Sequence, residues 1–287
     1  MTTKTPVEEL LSLLDLEKIE ENIFRGVSPK DRFQRVFGGQ VLGQALVAAV
    51  RTVEGRVCHS LHAYFLRAGD PKVPILYEVD RARDGRSFTS RRVVAIQHGL
   101  QIFNLAASFQ LVEPGYEHQF AMDQVPQPED LPNEEELRAK LADKLPEEAR
   151  AWFQRQRPIE TRPVAPRDYF SPEKRPPHEL LWIKAAGALP DDLAVHQCLL
   201  AFASDMSLLG TGMLPHGIGW LDNKVQLASL DHAMWFHRPF RMDDWLLYVQ
   251  DSPSASGARS FNRGLLYARD GRLVASVAQE GLMRPRA

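Results

Sequence analysis

The sequence predicts an α+β protein built from two tandem copies of one unit, a buried helix followed by four antiparallel strands. Three observations carry that prediction. Two helical stretches are apolar on almost every side, as helices enclosed by other structure are. Runs of strand-like alternation follow, punctuated by Asp-Gly and His-Gly turns. Residue strings also recur: Leu61-His-Ala-Tyr-Phe-Leu-Arg67 returns as Asp231-His-Ala-Met-Trp-Phe-His-Arg238, and Gly85-Arg-Ser-Phe88 as Gly257-Ala-Arg-Ser-Phe261. The spacing (170 residues from His62 to His232, 172 from Gly85 to Gly257) marks a duplicated domain and not a short solenoid repeat.

Taken in order, residues 7–22 read as an amphipathic helix, with Leu10, Leu11, Leu14 and Ile19 on one side; Gly26-Val-Ser-Pro29 closes it. Residues 36–50 form an uncharged helix rich in small side chains. Gly38 and Gly39 at its start let backbone approach closely, or present amides to a ligand, which makes them candidate substrate-binding positions. Strands follow at 58–66, 74–83, 87–97 and 101–112, with turns at Asp84-Gly85 and His98-Gly99. From 113 to 177 proline and charge increase. That stretch reads as a surface linker with one helix at 133–156, pinned by Trp152, Phe153, Tyr169 and Phe170. The pattern then returns: a strand at 180–186, a helix at 189–209, and strands at 225–235, 245–252, 257–269 and 273–283. The expected domains are 1–116, a linker at 117–176, and 177–287.

The helix at 189–209 opens at Pro190, Asp191 and Asp192, a good start because proline and carboxylates suit a first turn. Its apolar body contains one carboxylate, Asp205. An unpaired buried carboxylate is costly, so Asp205 needs partners or a task. Comparison of the two copies sharpens this. With Gln40 aligned to Gln197, Asp205 falls opposite Ala48; Ser229 falls opposite His59, and Gln279 opposite Ala107. An acid, a hydroxyl and an amide in the second copy thus face two alanines and a histidine in the first. That set suits activated water, with Asp205 as base and Ser229 and Gln279 as holders, while the glycine pair offers amides to an oxyanion. His59, unmatched in the other copy, is the second candidate base, and its place makes it a candidate substrate contact. His62 and His232 occupy matching string positions and imply a shared structural role.

Bulk properties exclude several classes. Apolar content of 44% and charged content of 25% are those of an ordinary globular protein. A net charge of −2 argues against a general nucleic-acid binder. Cys58 and Cys198 lie in apolar surroundings and read as buried thiols of a reducing compartment. With neither a signal peptide nor a bilayer-length apolar run evident, and no Ser-Lys-Leu ending, a cytoplasmic location is expected. Patterns for a serine elbow, a Walker loop or a zinc site are missing, so no metal and no cofactor are expected.

The strings Val36-Phe-Gly-Gly-Gln-Val-Leu-Gly-Gln-Ala45, His59-Ser-Leu-His-Ala-Tyr-Phe-Leu-Arg67, Pro215-His-Gly-Ile-Gly219, Leu230-Asp-His-Ala-Met-Trp-Phe-His-Arg-Pro239 and Ala278-Gln-Glu-Gly281 closely resemble the acyl-CoA thioesterase II (TesB-type) family. The resemblance implies a double hotdog, each half an antiparallel sheet wrapped around its helix. It also implies hydrolysis of medium- to long-chain acyl-CoA to CoA and fatty acid, and assembly as a homodimer or homotetramer. The family's catalytic aspartate, hydroxyl residue and glutamine fall on Asp205, Ser229 and Gln279. Candidates for the CoA phosphates, by residue type alone, are Arg91, Arg92, Arg259 and Arg263. Two alternatives are an enoyl-thioester hydratase, whose Asn-Pro-x-His context is absent around Asp205, and a non-catalytic acyl-CoA binding module, which leaves the one-sided polar set unexplained.

Overall fold

The structure is a computed structural model that describes residues 4–29, 35–142, 147, 150, 155–167, 173–219 and 224–286. Its centre is a pair of helices, α2 (Gly38–Val50) and α4 (Leu193–Ser204). They run in opposite directions and touch through small residues: Gly39 lies on the Phe202 carbonyl and Gly43 on the Cys198 carbonyl. Side chains absent at these points allow backbone to meet backbone. The Phe37 and Phe202 rings close the contact edge to face, 5.2 Å between centroids.

Around this pair, the strands of the described residues form one antiparallel sheet. In chain order they are β1 (Glu17–Glu20), β2 (Ile23–Gly26), β3 (Val57–Phe65), β4 (Ile75–Asp84), β5 (Phe88–Gln97), β6 (Leu100–Gln110), β7 (Ile159–Pro163), β8 (His178–Ala185), β9 (Val225–Ser229), β10 (Asp231–Phe236), β11 (Leu246–Ser256), β12 (Arg259–Ala268) and β13 (Leu273–Pro285). The sheet order is β1-β2-β4-β5-β6-β3-β10-β13-β12-β11-β8-β7, with β9 also on β13. The order β4-β5-β6-β3 is therefore met in reverse by β10-β13-β12-β11. The junction is β3 against β10, where His62 pairs with Ala233 and Ala63 with His232. This is the double hotdog expected from the resemblance. The β5–β6 turn places both His98 and Gly99 at positive φ, and Gly257 with Ala258 does the same between β11 and β12. Paired positive φ matches the twist of a hairpin.

Several boundaries differ from the sequence expectation. The first helix, α1 (Pro6–Leu14), is capped by Thr5 and Glu8 in a reciprocal box and stops at Leu14. Residues 17–26 instead form the β1–β2 hairpin, turned at Asn22 with φ 63°. Phe24 and Gly26 face inward, so the alternation of β2 decided over helical spacing. In the linker, α3 (Glu134–Ala142) starts where expected, with Asn133 accepting from the Glu136 amide at 2.7 Å. Strand β7 was not expected there; it pairs with β8. Trp152, Phe153, Tyr169 and Phe170 lie outside the described residues.

The expected helix at 189–209 is two pieces. Pro190 and Asp191 precede it, Asp192 is its cap, accepting from the Ala194 amide at 2.9 Å, and α4 ends at Ser204. A second helix, α5, spans Leu208–Met213. The segment Leu193–His216 is, by length and composition, apolar and long enough to cross a bilayer, but it is interrupted at Asp205 and most of it is buried in the core. Counted from the helix ends, Asp205 corresponds to the C-cap Arg51 and not to Ala48, which lies inside α2.

Candidate active site

Asp205 stands at the C-cap of α4, where the chain breaks before α5. It is 8% exposed and lines a cavity of about 810 Å³. Its Oδ1 accepts from Gln279 Nε2 at 2.5 Å and from Ser229 Oγ at 3.1 Å. Across the helix pair, the Gly39 amide also donates to the carboxylate. α2 has no side-chain cap of its own, so Asp205 supplies one from the other copy, at the positive end of the helix dipole. Burial raises the Asp205 carboxyl to about 6, against the hydrogen bonds from Gln279, Ser229 and Gly39 that favour its ionised form.

The strands explain how Ser229 arrives there. Carried two residues on from the Ala233–Ala278 pair, the β10–β13 register sets Asp231 opposite Glu280, whereas Ser229 already pairs with the next residue, Gly281, which leaves Leu230 as an extra residue. A bulge of this kind re-aims the neighbouring side chain. The break divides the expected strand at 225–235 and turns Ser229 onto the cavity wall. Gln279 faces inward from β13 and is fully buried beneath the carboxylate, off the wall itself.

The first copy keeps the bulge and loses the chemistry. Between Cys58 and Ser60 on β3, His59 is the extra residue. Its Nε2 meets Ser108 Oγ at 2.8 Å, and its ring lies edge-on to exposed Phe88. His59 is thus not among the residues lining the Asp205 cavity, and the substrate contact expected of it has no geometric basis. His59→Gln is expected to leave kcat within about twofold of the parent, measured by thiol release.

Gly38 and Gly39 do belong to the site. Gly38 lines the cavity, and a Cβ there would meet Asp205 Oδ2 at 2.7 Å. The Gly39 amide is engaged by Asp205, so this residue holds the base and does not wait for an oxyanion.

The matching of His62 with His232 fails on direction. His62 is exposed and stacks edge-on against Trp235, whereas His232 points inward at 0% exposure. Alternation along a strand makes a one-residue offset a change of face. His232 Nδ1 lies 3.1 Å from Gln279 Nε2, so it belongs to the site's surroundings; the inward alternation of Met234 and Phe236 was the signal available for it.

The arginines chosen by type are elsewhere or engaged. Arg91 is buried and bound to Thr52 and Asp84; Arg259 pairs with Glu280 and Arg263 with Asp251. Arg92 does not line the cavity. The cavity wall instead carries Arg35, Arg67, Arg138, Arg157 and Arg167, against Glu134 and Glu179. Five of these seven residues come from α3, β7 and their flanks or from β8, in or beside the stretch read as a plain linker. Glu179 is raised above its usual range by burial, although Arg167 lies 3.5 Å away and opposes that. Among the described residues no group of three or more His, Cys, Asp or Glu is arranged to hold a metal ion.

Comparisons with known proteins agree with this fold. Residues 28–110 match the family described as acyl-CoA thioesterase N-terminal domain, and residues 148–282 match acyl-CoA thioesterase. The chain is 43% identical to acyl-CoA thioesterase 2 of Haemophilus influenzae over 97% of this chain and 98% of that one. It is 43% identical to human acyl-coenzyme A thioesterase 8, covering 95% of this chain and 88% of the relative. The crystal structure of an acyl-CoA thioesterase II, TesB2, from Mycobacterium marinum superposes with a TM-score of 0.79 at 43% identity, covering 97% and 99% of the two chains.

Proposed function

Since the chain belongs to the acyl-CoA thioesterase II family and is an acyl-CoA thioester hydrolase, we propose that Asp205 is its general base and that Ser229 and Gln279 hold that base in place. The observation that carries this reading is the buried carboxylate itself: it receives three donors and still lines a large cavity. Water in the cavity loses a proton to Asp205 as its oxygen attacks the thioester carbonyl carbon. The tetrahedral intermediate then expels the CoA sulfur, which takes the proton back from Asp205. Water and thioester become fatty acid and thiol, with no covalent enzyme intermediate. The oxyanion would form near the N-terminus of α2 at Gly38, where the first amides of a helix lack internal partners.

The acyl chain would lie along the apolar wall formed by Val41, Phe65, Phe103, Leu181 and Ile183. A cavity of about 810 Å³ is of the size that encloses drug-sized ligands, about 300–1,000 Å³, which supports medium- to long-chain substrates. The arginine-bearing wall supports a seat for the CoA phosphates. Edge strand β1, exposed along its length, supports pairing with another copy in a homodimer or homotetramer.

Thiol release across a series of saturated acyl-CoA esters tests the reading, with matched S-acyl pantetheine esters that lack the phosphates. Faster release from medium and long chains than from acetyl-CoA is expected, with KM at least about tenfold higher for the pantetheine esters. Equal KM for both series would remove the phosphate seat, and absence of thiol release with every chain length would remove the hydrolytic reading.

A further inference from the structure

His232 carries an inference that extends the reading of Asp205 as base and rests on it. Its ring touches polar groups on both sides: Nε2 lies 2.9 Å from Ser204 Oγ and Nδ1 3.1 Å from Gln279 Nε2. Gln279 Nε2 has two hydrogens, one for Asp205 Oδ1 at 2.5 Å and one for His232 Nδ1. An ionised Asp205 only accepts, so the Gln279 atom facing it must be nitrogen. Nδ1 must then accept as well, which puts the imidazole proton on Nε2, where it is donated to Ser204 Oγ. Ser204 passes its own proton to the Ala201 carbonyl at 3.0 Å.

While Asp205 is ionised, no other arrangement satisfies these atoms. A proton on Nδ1 would point at an amide N–H, donor against donor. Turning the Gln279 amide over would set its oxygen against the carboxylate. Ser204 immediately precedes Asp205, so the hydrogen bonds run from the helix end through His232 and Gln279 and return to the next residue. Gln279 Oε1 is left buried without a partner, which a purely structural amide would have little reason to accept. Burial also lowers the imidazole to about 3, so it remains neutral where the enzyme would work. The inward position on β3 of the first copy holds Leu61 and Ala63, so no equivalent relay exists there.

We infer that His232 is a positioning residue for hydrolysis: fixed as the Nε2–H tautomer by Ser204, it holds the Gln279 amide with its nitrogen on Asp205. The titratable groups that face Asp205 are His232 on β10 and Tyr248 on β11, whose hydroxyl donates to the Ser204 carbonyl at 3.1 Å. Across the cavity stand Arg67, Arg138, Arg157, Arg167, Glu134 and Glu179.

His232→Leu removes the acceptor and frees the Gln279 amide to rotate. The expected result is a kcat lower by about tenfold or more with KM within about twofold. The acid limb of kcat/KM should move to higher pH, because Asp205 loses a donor that favours its ionised form. His232→Asn places a side-chain oxygen where Nδ1 stood and should recover most of the loss. His62→Leu, on the outer face, should match the parent. A structural role alone would change the amount of folded enzyme but not kcat per folded molecule or the acid limb.

The unsubstituted enzyme supplies a test that does not depend on any variant folding: nitrogen NMR should show His232 as the Nε2–H tautomer at about pH 8, where Asp205 is ionised, and as a neutral ring down to about pH 5. An Nδ1–H tautomer at about pH 8, protonation of the ring above about pH 5, or a folded His232→Leu with parental kcat and acid limb would overturn the inference. Full turnover by Asp205→Asn would instead overturn the base reading beneath it, a separate result from the tautomer.

Discussion

Asp205→Asn is expected to abolish turnover and, at neutral pH, to make the protein more stable. Loss of a general base costs about 10²- to 10⁴-fold in rate, and the asparagine amide cannot take a proton from water. The stability gain follows from the direction of the pKa. Burial holds the folded-state carboxyl at about 6, above its ordinary 3.8. Between those values the folded protein keeps a proton that the unfolded chain has lost, so parental stability falls as pH rises through that window. Above about pH 6 the full cost is present, about 3 kcal/mol for a shift of about two units. The amide carries no such cost, although its N–H₂ must share the site with the Gly39 and Gln279 donors, which returns part of the gain. Denaturant melts at about pH 8 should place the variant about 1–2 kcal/mol above the parent, with the difference vanishing toward pH 4. A variant less stable than the parent at both pH values would show that the carboxylate is a structural cap and not a strained base. The same pKa predicts that parental kcat/KM rises through about pH 6.

Gly39→Ala should be the most damaging single methyl group in the first copy. Its Cβ would collide with the Phe202 carbonyl and come within 2.5 Å of the Phe37 ring. A backbone atom on one side and a packed aromatic on the other leave no direction for relief. Overpacking of this kind costs about 1–3 kcal/mol, occasionally more, and would force α2 and α4 apart. That movement also withdraws the Gly39 amide from Asp205, so the surviving folded fraction should lose most of its kcat. Gly38→Ala is the discriminating companion. Its Cβ would meet Asp205 Oδ2 at 2.7 Å and the Phe65 ring at 3.1 Å, with side-chain atoms as its three nearest neighbours. It should leave stability within about 1 kcal/mol of the parent while lowering kcat by about tenfold or more. Thermal melts and thiol release on the two variants would separate packing from chemistry; equal losses of stability in both would contradict the distinction.

Most of the fold was legible because burial writes itself into the sequence as periodicity. α2 and α4 are apolar on every side because sheet covers them, and the hairpin turn at His98-Gly99 follows from the backbone angles it requires, whereas the turn at Gly257-Ala258 was read as the start of a strand. Asp205 was legible for the same reason, as a charge where none could be tolerated without partners. Its structural setting was not: an apolar string gives no notice that α4 stops at Ser204 and that the carboxylate caps α2 from outside. His232 was misplaced because identical strings were matched by residue type, whereas a strand is read by face. Three of the cavity-lining arginines, Arg138, Arg157 and Arg167, escaped because they lie on or beside short elements between the copies, where little periodicity exists to place them. Arg91 failed as a candidate for the opposite reason: its guanidinium is consumed by Thr52, Asp84 and neighbouring carbonyls in the interior.

Arg91 has one more consequence. It projects inward from β5, the counterpart of β12 in the reversed sheet order, and binds Thr52 just beyond the end of α2. The second copy has its working carboxylate at the corresponding end of α4. Beside the end of α2 the first copy therefore places a guanidinium, a plug where the second copy places Asp205 at the end of α4. With Asp205 as the proposed base, each chain would carry one reaction centre despite its doubled architecture, and the matching corner of the first copy is filled rather than merely lacking an acid. A carboxylate introduced there is not expected to add a second centre while the plug stays in place.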